Sequence, residues 1–144
     1  MIYTDIFKMI SRHCAHSLKG HSDTVRSIHI LDSSTAISRS KDGAVIVWNL
    51  VTGEPTAILR HREQHAIRTI AMKNDIAFVG TYKGNLIQWN VSTRECLGVF
   101  IIHQSIIYAI SVSDEYLFTG GADSTIVSRD LQTRYVTFIL AMKA

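Results

Sequence analysis

The chain has 144 residues, of which 47% are hydrophobic and 19% charged, with a formal net charge of +3. That is long enough for one domain with a real core, and the mix is that of an ordinary globular chain, not of a low-hydropathy disordered segment. No apolar run reaches the roughly 18 residues a membrane-spanning helix needs, and so mild a charge excess says little about nucleic acid.

Taken in chain order, the opening stretch MIYTDIFKMISRHC is interrupted by Asp5 and lacks the basic-then-apolar order of a secretory signal. Two cysteines, Cys14 and Cys96, make no disulfide framework, so reduced thiols in an intracellular chain, cytoplasmic or nuclear, are expected. Ile2-Tyr3-Thr4-Asp5 and Cys14-Ala15-His16-Ser17-Leu18 read as short strand ends. From Gly20 onward three segments align: Gly20 to Asn49, Arg62 to Asn90 and His103 to Asp130. Val25, Ile67 and Ile107 open the matching apolar run in each, while Trp48, Trp89 and Arg129 stand near its end. Within each unit the pattern predicts four strands, near 24–30, 35–40, 44–49 and 54–59, then 66–71, 76–81, 85–90 and 95–100, then 106–112, 116–120, 125–129 and 134–140. In VRSIHI, alternation predicts Val25, Ser27 and His29 on one face. Lys41-Asp42-Gly43 and Lys83-Gly84-Asn85 carry tight-turn chemistry. No stretch sustains a helical period.

A spacing of about 40 residues, with Gly20-His21 at the start and Trp48-Asn49 at the end, resembles the WD repeat. The resemblance implies an all-β propeller, incomplete here: three four-stranded antiparallel blades plus a partial N-terminal one. The divisions expected are 1–19 for the end of a preceding blade, 20–60, 61–102 and 103–144. Propellers typically close with four to eight blades. The chain is therefore expected to continue into further blades or to close by self-association. Cys14 and Cys96 fall at matching places on fourth strands, where buried packing is expected.

His21, Ser38 and Asp42 together suggest a hydrolase triad. No glycine-flanked nucleophile turn surrounds Ser38, however. The resemblance implies instead a structural tetrad of His21, Ser38, Asp42 and Trp48. The third unit keeps His103, Thr119 and Asp123 with Arg129 in place of Trp. The second keeps only Trp89, with Glu63, Val79 and Lys83 elsewhere, so apolar packing alone is expected to hold it. His61 and His65, four apart in HREQH, lie on a loop without a third ligand. No metal, cofactor or catalytic residue is expected.

In the family, partners bind the face where blade ends ring the channel. One recurring position follows the residue opening the first strand and holds Arg26, Arg68 and Tyr108. The other precedes the turn Asp and holds Lys41, Tyr82 and Ala122. The series Arg26, Lys41, Arg68, Tyr82 and Tyr108 resembles the phosphodegron-gripping set of F-box/WD-repeat receptors of ubiquitin ligases. Lys41 departs from the expected Arg and loses bidentate geometry. No F-box precedes the repeats. The resemblance implies a non-catalytic interaction scaffold with an acidic or phosphorylated peptide as partner. The alternative is a general assembly scaffold without phosphate preference. Nucleic acid ranks third, because no base-stacking motif is present.

Overall fold

The computed structural model describes residues 17–133 and 136–141. Among these there is no helix, and the twelve strands form three antiparallel sheets of four, each ordered consecutively. The first sheet holds β1 (Val25–Ile30), β2 (Thr35–Ser40), β3 (Ala44–Asn49) and β4 (Pro55–Arg60). The second holds β5 (Ile67–Lys73), β6 (Ile76–Thr81), β7 (Asn85–Asn90) and β8 (Glu95–Ile101). The third holds β9 (Ile107–Val112), β10 (Tyr116–Gly121), β11 (Thr125–Asp130) and β12 (Val136–Ala141). These are three adjacent propeller blades. Strand boundaries sit within a residue or two of those the pattern predicts. The two short strands expected before Ser17 fall outside the described residues, and Ser17 and Leu18 are not in a strand.

Local chemistry sets where each strand stops. After the third strand of every blade, a side-chain oxygen caps the reversal. Asn49 accepts from the N–H groups of Val51 and Thr52, Asn90 from those of Ser92 and Thr93, and Asp130 from those of Gln132 and Thr133. Each is an Asx turn, which lets a short polar side chain stand in for a backbone acceptor.

Two cores fill the seams between blades. Ile37, Val45 and Val47 of the first blade pack on Ile67, Ile70, Val79, Ile87 and Trp89 of the second. Phe78 and Leu86 of the second pack on Ile107 and Leu117 of the third. Side chains alternate along a strand, so each inner strand sends one set of residues back to the preceding blade and the other forward to the next.

One expectation fails at β1. The ladder to β2 slips between Val25 and Ser27, and the same slip occurs at Ile67/Thr69 in β5 and opposite Gly120/Gly121 in β9. A bulge inserts one unpaired residue and reverses the alternation beyond it. Val25 therefore shares its face with Ile28 and Ile30, and not with Ser27 and His29. That face of the first blade is open. Val25, Ile28 and Ile30 are exposed beside Leu18 and Trp48, whereas their counterparts Ile67, Ile70 and Met72 are packed in a seam.

Cys96 also departs from expectation, because it is exposed. It lies on β8, the outermost strand of its blade, which pairs along one edge only. Peripheral strands have no blade pressed against both faces, so a position that matches in the repeat need not be buried. Cys14 lies outside the described residues.

Candidate binding site

The polar residues of the first blade form one chain of hydrogen bonds. Trp48 Nε1–H donates to Ser38 Oγ at 2.8 Å, Ser38 lies 2.7 Å from His21 Nε2, and His21 Nδ1 lies 2.9 Å from Asp42 Oδ2. Indole can only donate and carboxylate can only accept. A neutral imidazole protonated at Nδ1 then satisfies every member, with Ser38 donating to Nε2. Asp42 also accepts from the N–H groups of Ser22 and Ala44. Burial favours its protonated form, but those two bonds and His21 outweigh it and hold the carboxyl below its ordinary value. Ser38 is thereby held between indole and imidazole, accepting from one and donating to the other. The network ties β2, β3, the loop before β1 and the β2–β3 turn into one unit.

The third blade solves the same problem differently. His103 Nε2 meets Thr119 Oγ1 at 2.8 Å and its Nδ1 meets Asp123 Oδ1 at 3.0 Å. Thr125, which sequence reading passes over, adds a hydroxyl bond to Asp123 at 2.7 Å. Burial again opposes ionisation of Asp123. Bonds from Thr125, Gln104 N–H and His103 pull the carboxyl far below its usual range. Gly121 makes room for this, because a Cβ there would collide with His103 Nδ1. Arg129, in the tryptophan position, is buried with its guanidinium 3.6 Å over the Phe100 ring of the second blade.

The second blade is not held by apolar packing alone. Thr81 Oγ1 accepts from Lys83 N–H and Asn85 N–H, Asn85 meets His65 at 3.3 Å, and His65 pairs with Glu63 at 3.1 Å. Apolar packing cannot satisfy the turn's N–H groups, so hydroxyl and amide take over. His65 is thereby occupied, and His61 Nδ1 accepts from Glu63 N–H. The Glu63–His65 pair is largely exposed on the glutamate side. His21→Ala is therefore expected to cost about 1–3 kcal/mol of stability, because it orphans Ser38 and Asp42. Glu63→Ala should cost under about 1 kcal/mol. Urea denaturation of the two variants measures both, and equal losses would refute the distinction.

The bulges set one residue of each first strand apart. Arg26, Arg68 and Tyr108 are each the unpaired bulge residue of their first strand. A bulge re-aims its side chain out of the ladder. Arg68 lies 4.9 Å from the centroid of the Tyr108 ring, a cation–π contact across the second seam. Arg39, on β2, reaches the same region and donates to the Ile67 carbonyl at 3.4 Å. Burial, then repulsion from Arg68 and Arg26, lowers its proton affinity, partly offset by Tyr82. Arg26, Arg68 and Tyr82 thus lie close enough to act on Arg39, a residue sequence reading did not single out, and Tyr108 joins them through Arg68. Lys41 is exposed on the β2–β3 turn and is not among the charges acting on Arg39.

Comparison with known proteins agrees with this architecture. The family model for the WD domain, G-beta repeat, matches residues 12–49 and 94–128, half of the chain. Most of the second blade, whose Ser/Thr–His–Asp relay is missing, falls outside both matches. The chain is 33% identical over 125 residues to cilia- and flagella-associated protein 57 of Mus musculus, covering 84% of this chain and 10% of that protein. It is 27% identical over 124 residues to WD repeat-containing protein 41 of Homo sapiens, covering 79% and 27% respectively. The chain thus spans only a small part of these relatives. In fold it is similar to the RRP9 WD40 repeats, with a TM-score of 0.79 over 87% of this chain and 41% of that one, at 15% identity.

Proposed function

The chain belongs to the WD-repeat family, and on that premise we propose that it is a non-catalytic protein-interaction scaffold that binds an acidic or phosphorylated peptide at the channel mouth. The observation that supports this reading is the repeated bulge, which leaves Arg26, Arg68 and Tyr108 unpaired at the same place in three neighbouring blades. No ion pair holds Arg26, Arg39 or Arg68 among the described residues. Neighbouring guanidinium groups with no carboxylate partner among the described residues favour a ligand that brings oxyanions, which they bind by charge-assisted, often bidentate bonds. Tyr82 and Tyr108 add rigid contact area with a hydroxyl. Lys41 stands at the edge of this set as a point charge. The F-box/WD-repeat receptors supply the model for such a grip; recruitment of a ubiquitin ligase would need an F-box segment, which these residues do not contain.

The test is fluorescence polarisation of one acidic peptide with and without a phosphoserine. The phosphorylated form should bind more tightly. Arg68→Ala should weaken it by about 10- to 100-fold, the loss of one charge-assisted contact of roughly 1.5–3 kcal/mol. Equal binding of both peptides, unchanged by Arg68→Ala, would favour a general assembly scaffold. Salt-sensitive RNA binding indifferent to that substitution would favour a nucleic-acid role.

A further inference from the structure

Arg39 stands where the other two blades have glycine. Aligned on the turn, Ser38-Arg39-Ser40 corresponds to Val79-Gly80-Thr81 and to Thr119-Gly120-Gly121. At Gly80 the seam is closed so tightly that a Cβ would lie 2.7 Å from Thr69 Cγ2 and 2.8 Å from Ile107 Cγ2. Yet in the first seam the same position carries a full arginine side chain, only 7% exposed. Its Nε–H is buried with no acceptor, and among the described residues its bond to protein is the long contact to the Ile67 carbonyl. No carboxylate lies within ion-pair distance of it among the described residues. The charges that do reach it most strongly include two further cations, Arg68 and Arg26.

Such an arrangement is costly for the free protein. A buried cation needs a counter-charge and filled hydrogen-bond positions, and among the described residues this one has no counter-charge and an unfilled Nε–H. Glycine at this position would avoid the cost altogether, as it does in both other blades. We propose that Arg39 makes the first seam, where it opens on the channel mouth, an oxyanion subsite that seats a phosphate or carboxylate group of the bound peptide between Arg26, Arg39 and Arg68. The proposal rests on the acidic-peptide reading and names the residue that gives it depth. The incoming oxygens bring Arg39 the counter-charge it lacks among the described residues and neutralise three cations at once. Arg26 and Arg68 on their bulges form the outer walls, and Arg39 forms the floor. A side chain that ends in an oxyanion enters the seam, while neutral side chains stay on the rim.

The experiment uses the whole chain with inorganic phosphate and acetate as probes, against chloride at matched ionic strength, and compares wild type with Arg39→Met and Arg39→Lys. Phosphate should raise the unfolding temperature of the wild type, because a ligand bound only by the folded state stabilises it. A rise with phosphate larger than with acetate assigns a phosphoryl group, and equal rises assign a carboxylate. No rise with either overturns the subsite. Arg39→Met keeps the volume and removes the charge. In phosphate-free buffer it should melt at or above the wild-type temperature, lose the phosphate-dependent rise and bind the phosphorylated peptide about tenfold more weakly or worse. A large drop in its phosphate-free melting temperature would make Arg39 a structural residue and overturn the assignment. If Arg39→Met does not fold, Arg39→Lys carries the test. It keeps the charge without the fork and should retain only part of the phosphate effect; full retention overturns the subsite. If Arg68→Ala abolishes peptide binding while both Arg39 variants bind like wild type, the subsite is wrong and the mouth reading stands. If no peptide binds even the wild type, both fall together.

Discussion

Ile107→Ala is expected to lower the unfolding free energy by about 2–5 kcal/mol, whereas Val25→Ala, at the same place in the repeat, should cost under about 1 kcal/mol in a monomer. Both residues open the first strand of a blade and turn toward the preceding one. Ile107 is 0% exposed and packs on Phe78, Leu86 and Leu117 in the second seam. Truncation there loses both transfer free energy and close contacts, since a seam filled from two rigid sheets cannot collapse onto the gap. Val25 is 47% exposed because no described blade covers it. Removing methyl groups already in water changes little. Guanidinium denaturation of the two variants checks the contrast, with light scattering beside it. The exposed face of the first blade repeats the pattern of faces that are buried in both seams. If a second copy or further blades cover it, Val25→Ala becomes costly and shifts the association equilibrium. Equal losses in a demonstrated monomer would contradict the open face.

Gly84→Ala is expected to cost about 2–5 kcal/mol, from two additive sources. Gly84 has φ +85, a left-handed conformation that costs an L side chain roughly 1–2 kcal/mol. A Cβ there would also run into the His103 carbonyl and lie 2.7 Å from the Ser105 carbonyl, backbone atoms that cannot swing aside. Overpacking of that kind adds roughly 1–3 kcal/mol. Gly43 repeats the arrangement against the Gln64 carbonyl, with φ +81. The third blade has Ser124 at the matching turn, also left-handed at φ 66. Ser124→Gly should therefore move stability by less than about 1 kcal/mol, since conformational relief and added unfolded-state freedom oppose each other. Thermal unfolding of Gly84→Ala and Ser124→Gly measures both, and a Gly84→Ala variant as stable as wild type would rule out the close approach of the next blade.

The third blade's tolerance of serine at that turn illustrates a wider point. Gly43 and Gly84 each abut the loop that leads into the following blade, and no described blade follows Ser124. The residue allowed at a turn is set partly by its own dihedral angles and partly by what packs on it. Only the first of these is written in the turn motif. Cys96 follows the same logic, since its place in the repeat says nothing about whether a neighbour covers the outer strand. Thr125 could have been noticed as a hydroxyl two residues after Asp123. Its bond to the carboxylate, however, depends on Gly121 leaving space, which only the packed blade displays.

Read alone, the sequence was enough for the forty-residue period, the twelve strands, the turns between them and the all-β class, because these rest on local chemistry: strand alternation, turn residues and Asx caps act within a few positions of the chain. The tertiary structure alone decided which side chains face each other. One unpaired residue in each first strand reverses the alternation, moves Val25 onto the Ile28 face and leaves Arg26, Arg68 and Tyr108 outside the ladder pairing. A bulge is a property of two paired strands, so it cannot be read from one. The same reason hides Arg39: it sits next to Ser38 in the chain, but its burial against the neighbouring blade, with no counter-charge among the described residues, shows only in the packed structure.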